Sequence, residues 1–370
     1  ATLATPDIFH AWGTLWDAGG ADALFTTRDN WDRDELPLFD GTVYLNFATD
    51  GSLATVNTNA YLLGLSLHSA GDFTLTNGSG SLAIGANGLR AAAPHSETSC
   101  TYTVAAPVTL AANQTWGVTN NGAAVASLIV SGSISDGENA FGITKSGNGP
   151  LTLSGDNSYD GQTVIATGGV LRVCHDNALG SAGGNTLVQN GAWLEVSGNV
   201  AVPEPLTLNG DAAVGYAGTL RSTGGSNIWS GAISQGTLSR ISVLTGSSLT
   251  LAGGVGGPNL YLSPQADAQL AINEAPVTVG SGKVYAHGQG VVAFGATGNT
   301  WSTLEIAGAT VRTDVSGAFP SSSILQMGIA TALDATIDLN GNDQTVAQLK
   351  RGLVTPGNRH VTSATPATLT

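Results

Sequence analysis

The segment LTLSGDNSYDGQTVIATGGVLRV, residues 151–173, decides how this chain folds. Leu151-Thr152-Leu153 alternates apolar and polar side chains, as a strand with one buried face does. Gly155 to Gly161 then collects Asp, Asn and Gly, which bond their own backbone or reach turn conformations cheaply. A second strand of the same kind follows at Val170–Val173. The segment is therefore either the edge of a site or one rung of something that repeats.

Working outward, short alternating segments recur at Val43–Phe47, Phe73–Thr76, Ser127–Val130, Leu206–Leu208, Ser248–Leu251, Leu270–Ile272 and Ala335–Leu339. Gly, Ser, Thr and Asn interrupt nearly every window long enough for a helix. The recurrence reads as an all-β repeat: a solenoid, a propeller or a sandwich. Self-comparison separates these. Gly147–Gly155 aligns with Gly288–Ala296, Gly169–Val173 with Ala309–Thr313, and Ala178-Leu179 with Ala318-Phe319. A second echo joins Thr115-Trp116 ahead of LIVSGSIS (128–135) to Ile228-Trp229 ahead of SGAIS (230–234). Units with elastic turns suit a parallel β-helix, in which insertions fall in loops while rungs keep stacking. A propeller requires evenly spaced blades of about 40–50 residues, and the spacing here is uneven.

Composition limits the function. Of 370 residues, 51 are Gly and only 10% are charged, with a net charge of −14. Solubility then rests on hydroxyls and amides. An acidic chain with lysine only at Lys145, Lys283 and Lys350 lacks the electrostatic footprint for nucleic acid or for an anionic membrane. No apolar run reaches the roughly 18 residues of a spanning helix. The opening ATLATPDIFH has no signal-peptide pattern, so for an exported protein the numbering is expected to start after cleavage. Cys100 and Cys174 are a candidate disulfide, and nothing in their spacing suits zinc.

Residues 142–182, GITKSGNGPLTLSGDNSYDGQTVIATGGVLRVCHDNALGSA, closely resemble the autotransporter-associated β-strand repeat, also called the passenger-associated transport repeat. Lys145, Gly147, Gly149, Leu151, Leu153, Ser154, Gly155, Asn157, Tyr159, Gly161, Thr163, Leu171 and Ala178-Leu179-Gly180 sit where that pattern has them. Pro150 departs from the usual Thr. WDAGGADALFTTRDNWDRDELP (16–37), residues 205–234, 246–257 and 337–349 resemble the segments that flank such repeats. The resemblance implies a right-handed parallel β-helix, exported and located extracellularly or on the bacterial outer surface. Many such proteins end in an outer-membrane barrel. Residues 350–370 lack barrel-type strands and stop as though mid-repeat, which leaves open whether the chain is a fragment of a longer protein with such a barrel.

The expected organisation is an N-terminal cap segment over residues 1–40 and a β-helix over 41–349. Its repeat-like units lie near 142–182 and 283–320. Residues 350–370 are a tail or the start of a further rung. A short helix is expected near Asp7–Ala18, and Trp12, Trp16 and Trp31 are expected to form the cap core. Asn157, Tyr159, Gly161 and Gly180 are read as structural turn residues, with positive φ at both glycines. Asp29, Asp32, Asp34 and Glu35 form a weak candidate Ca²⁺ set without EF-hand spacing, and a solvated loop is the plainer reading. No other cofactor is expected.

Asp136/Glu138, Asp156/Asp160 and His175/Asp176 are the nearest approach to acid–base pairs, and none carries a catalytic motif. The functional expectation is a non-catalytic surface protein: a rigid stalk, adhesin body or self-assembling fibre subunit. The alternative is a polysaccharide-binding or polysaccharide-degrading β-helix, as a lyase or glycoside hydrolase. That alternative requires clustered carboxylates, arginines and exposed aromatics along one side of the coil. Expected partners are further copies docked head to tail, with residues 364–370 meeting residues 1–31, or a surface glycan or host ligand. Nucleic acid is not expected.

Overall fold

The computed structural model describes residues 13–48, 52–210, 218–328, 333–352 and 357–370. Strands dominate, and among the described residues the only helical elements are two single 3₁₀ turns, Arg28–Asn30 and Asp32–Asp34. The chain is a parallel β-solenoid. It divides into two compact units, residues 1–171 with 177–184, and residues 172–176 with 185–370.

In the first unit three faces recur in order along the chain. The first stacks Gly13–Trp16, Tyr44–Phe47, Gly64–Leu67, Leu89–Ala92, Gln114–Thr119, Ile143–Ser146 and Thr163–Ile165. The second stacks Leu53–Val56, Phe73–Asn77, Cys100–Val104, Ala126–Val130 and Pro150–Leu153, and the third stacks Ala60–Leu62, Leu82–Ile84, Val108–Leu110 and Ile134–Ser135. Pairing is parallel and in register, so like side chains pile up. Leu75, Val104, Val130 and Leu153 form one buried column. Fully burying each such side chain is worth about 1.5–3 kcal/mol. Tyr44 pairs with Gly64 and Gly13 with Tyr44, so rungs of this unit range from 20 to 31 residues. The excess length leaves in turns and the columns survive.

The second unit repeats the three-faced plan. Its second face runs from Trp193–Ser197 through Leu220–Gly224, Ser239–Val243, Leu260–Pro264, Lys283–His287, Thr303–Ala307 and Ile324–Met327 to Gln348–Arg351. Leu220, Ile241, Leu262, Ala286, Ile306 and Met327 stack inward from it. On the last strands, Leu349 pairs with buried Leu325 and Val361 with buried Ile337, yet Leu349 and Val361 are 52% and 46% exposed.

Near the start of the chain, Trp16 and Trp31 are fully buried with Phe25 and Phe47, with edge-on ring contacts of 4.9 Å between the tryptophans and 5.3 Å from Trp31 to Phe25. The Trp31 indole N–H donates to Phe25 O at 2.8 Å. Trp12 and residues 7–12 of the expected helix lie outside the described residues. The rest of that helix is not formed: Gly13–Trp16 is a strand that pairs with Tyr44–Phe47. An open sheet edge offers ladder bonds that a lone turn of helix cannot match.

Candidate functional site

The repeat residues form a structural bracket. Asn157 is buried; its side-chain carbonyl accepts from Ile134 N–H at 2.8 Å and its amide donates to Ala178 O at 2.6 Å, tying consecutive rungs together. Asn299 makes the matching set, accepting from Val277 N–H at 2.7 Å and donating to Ala318 O at 2.8 Å. The aligned Ala178 and Ala318 are thus the acceptors of the same device, which the self-comparison touched without finding its asparagines. Tyr159 is fully buried, with its hydroxyl 2.7 Å from Thr163 Oγ1. Replacing Asn157 by alanine strands two buried backbone groups and should cost about 2 kcal/mol. Urea denaturation of Asn157→Ala checks this, and an unchanged midpoint would remove the bracket.

The two glycines act differently. Gly180 has φ of 91°, the expected corner conformation. Gly161 is not in the positive-φ region; a Cβ there would instead collide with the Phe141 carbonyl and Gly142 N of the neighbouring rung. The expected strain at Gly161 is therefore corrected to a limit on rung spacing. Gly161→Val should destabilise by about 2 kcal/mol through overpacking, and thermal melting of that variant is the measurement.

The candidate acidic sets are engaged in local hydrogen bonds, to backbone N–H groups or to neighbouring side chains. Asp136 accepts from Phe141 N–H at 3.0 Å and Asp160 N–H at 3.2 Å. Asp160 accepts from the Ser181 hydroxyl. Asp156 accepts from the Asn177 amide at 2.8 Å, and Asp176 from Ala201 N–H at 2.7 Å. Asp29, Asp32, Asp34 and Glu35 lie on and beside the two 3₁₀ turns, where Asp32 accepts from Leu15 N–H at 2.9 Å. Among the described residues no group of three or more His, Cys, Asp or Glu is placed to hold a metal ion. Cys100 and Cys174 are free thiols, so the candidate disulfide is not formed: Cys100 is buried, with Sγ toward Ser69 O and Thr98 O, while Cys174 is exposed.

What does assemble is a surface that sequence reasoning missed. On the second face of the second unit, inward leucines and valines alternate with large polar and aromatic residues facing outward. Register stacks Arg240, Tyr261, Tyr285, Glu305, Gln326 and Lys350 in one column. The Arg240 guanidinium lies 4.3 Å over the Tyr261 ring, and Tyr261 stacks on Tyr285 at 4.3 Å and 16°. His287 meets both rings edge-on at 5.2 and 5.5 Å, and its Nε2 lies 3.2 Å from Glu305 Oε1. Burial pushes the Tyr285 phenol pKa up.

Farther along the same sheet, Glu195 is held between Arg172 at 2.7 Å and Arg221 at 3.4 Å, and Arg221 lies 4.7 Å over the Trp193 ring. Burial lowers the Arg221 pKa, opposed by the Glu195 charge. A cleft of about 330 Å³ adjoins the sheet, lined by Thr245, Ser263, Pro264, Gln265, Gly288 and Gln289. Ser263 accepts from Arg240 at 2.9 Å. The only signal in the sequence was the placement of Arg, Tyr and Glu at outward strand positions; columns become visible only once the uneven rungs are aligned.

Stacked parallel rungs bearing this bracketed repeat are similar to an autotransporter passenger β-helix, a class of protein that lies extracellularly or on the outer surface. The passenger-associated-transport-repeat family model matches residues 143–173. The "Adhesin BmaC autotransporter" of Brucella suis biovar 1 (strain 1330) is 43% identical over 77 residues, which is 21% of this chain and 2% of that protein. The chain therefore matches only a small part of that relative's length. No solved structure matches. No helix among the described residues is long and apolar enough to cross a membrane.

Proposed function

We propose that the chain is a non-catalytic adhesive segment of a surface protein, a stalk or adhesin body whose second unit carries the contact surface. The observation that carries this reading is the outward ladder of Trp193, Arg221, Arg240, Tyr261, Tyr285 and His287 on a stacked sheet. A rung spacing of about 4.8 Å suits a repetitive partner better than a single small substrate. The similarity to an adhesin autotransporter supports it. The carboxylates of the repeat, engaged by neighbouring hydroxyl, amide and backbone N–H donors, support a non-catalytic reading over a lyase or hydrolase. Particles coated with the protein should adhere to glycan-coated or cell surfaces more than bare particles do. Adherence equal to bare particles ends the proposal, and release of cleaved products from a polysaccharide converts it to the enzyme alternative.

A further inference from the structure

The second face of the second unit is electropositive on an acidic protein. Arg172, Arg221, Arg240, Lys283, Lys350 and Arg351 lie on this one sheet, six of the chain's 12 Lys and Arg residues. Its strands carry only Glu195 and Glu305 as acids among the described residues, and both are already paired with cations or His287. With a net charge of −14 for the chain, the field elsewhere repels anions. Here a local excess of positive charge draws them in.

We infer that this face binds a linear acidic polysaccharide, through guanidinium, ammonium and phenol donors that meet its carboxylate or sulfate groups. The inference rests on the adhesive reading and names the ligand class of the same surface. Three features select this class. Guanidinium and phenol groups are strong donors to carboxylate and sulfate oxygens. They recur from rung to rung along Arg240, Tyr261 and Tyr285, so a polymer with a charge on each sugar can engage several at once. The central Tyr261 ring is also closed on both faces: Arg240 covers one side and Tyr285 the other. Single-stranded nucleic acid adds to its phosphate contacts the stacking of bases on open aromatic faces, and neutral sugars also stack on such faces. A polyanion needs only the rims and the charges.

The test is binding of the purified chain to immobilised polyuronate and to dextran sulfate, with neutral dextran and a single-stranded oligonucleotide alongside. The two polyanions should bind, neutral dextran should not, and added salt should weaken the binding. The Arg240→Gln/Lys283→Gln double variant should bind at least about tenfold more weakly, as loss of contacting charges does. Arg90→Gln, the loss of a cation in the first unit, should change nothing. Arg240→Lys, which keeps the charge, should retain most of the binding, and circular dichroism confirms that each variant is folded. Equal loss in Arg90→Gln, equal binding of neutral dextran, or preference for the oligonucleotide overturns the inference. If coated particles adhere but no polyanion binds, this inference fails and the adhesive reading stands; polyanion binding without adherence does the reverse.

Discussion

The second unit should lose about 5 kcal/mol of stability between pH 4.5 and pH 8 through one residue, Glu204. Glu204 is 1% exposed; one carboxyl oxygen accepts from the Thr186 hydroxyl at 2.8 Å and the other has no hydrogen-bond partner. Burial raises its pKa from 4.5 to about 8, against the smaller opposing effect of Thr186. In the unfolded chain the group ionises near 4.5. A folded-state pKa above the unfolded value means the native state holds the extra proton between the two. The stabilisation is fully present below pH 4.5 and is lost as pH rises through 8. Glu204→Gln keeps the shape and removes the titration. Its urea stability should match the wild type near pH 4.5 and exceed it above pH 8. Trp229, whose indole donates to Glu204 O at 2.9 Å, provides a local fluorescence signal. A constant difference between wild type and variant across this range would show that Glu204 is ionised in the fold.

Lys145 in the first unit should respond in the opposite direction. It is fully buried, and its ammonium donates to Ser146 O at 2.6 Å and Gly147 O at 2.7 Å. Burial lowers its pKa from 10.5 to about 8. Between pH 8 and 10.5 the unfolded chain holds the extra proton, so stability rises with pH across that window. The cost of burying the charge is fully present below pH 8 and is relieved by about 3 kcal/mol by pH 10.5. Lys145→Met should lack this rise. Parallel denaturation of wild type and variant at pH 7 and pH 10.5 decides it; parallel curves would mean the two carbonyls hold the ammonium charged throughout.

The fold was legible because its period is local. Leu151-Thr152-Leu153 and its relatives show the strand alternation directly, and the glycine-rich turns exclude long helices. The bracket was half legible: Ala178 and Ala318 aligned in the sequence, but Asn157 and Asn299 act through backbone groups of neighbouring rungs that only folding brings near. Gly161 was marked as a corner for the wrong reason, since its constraint comes from Phe141 one rung away. The helix expected near Asp7–Ala18 failed over Gly13–Trp16 because that stretch also alternates well enough to pair at a sheet edge. The ladder on the second unit was hidden most completely. Arg240, Tyr261, Tyr285 and Glu305 are separated by unequal stretches of chain, and no fixed spacing in the sequence connects them.

The unequal rungs also have a mechanical meaning. Hydrogen bonds between parallel strands of successive rungs lie along the stacking direction, so a pull along that direction loads the rungs in series rather than in shear. Each rung that peels away releases its whole contour at once. The rung from Gln114 to Gly142 would release about 100 Å of chain, and the rung from Ile143 to Gln162 about 70 Å, at about 3.4 Å per residue. A force–extension trace of the first unit would then be a sequence of unequal steps, and their lengths would spell out where the turns have grown. A tether built this way yields under load by paying out chain one rung at a time, and keeps the remaining rungs folded while it does so.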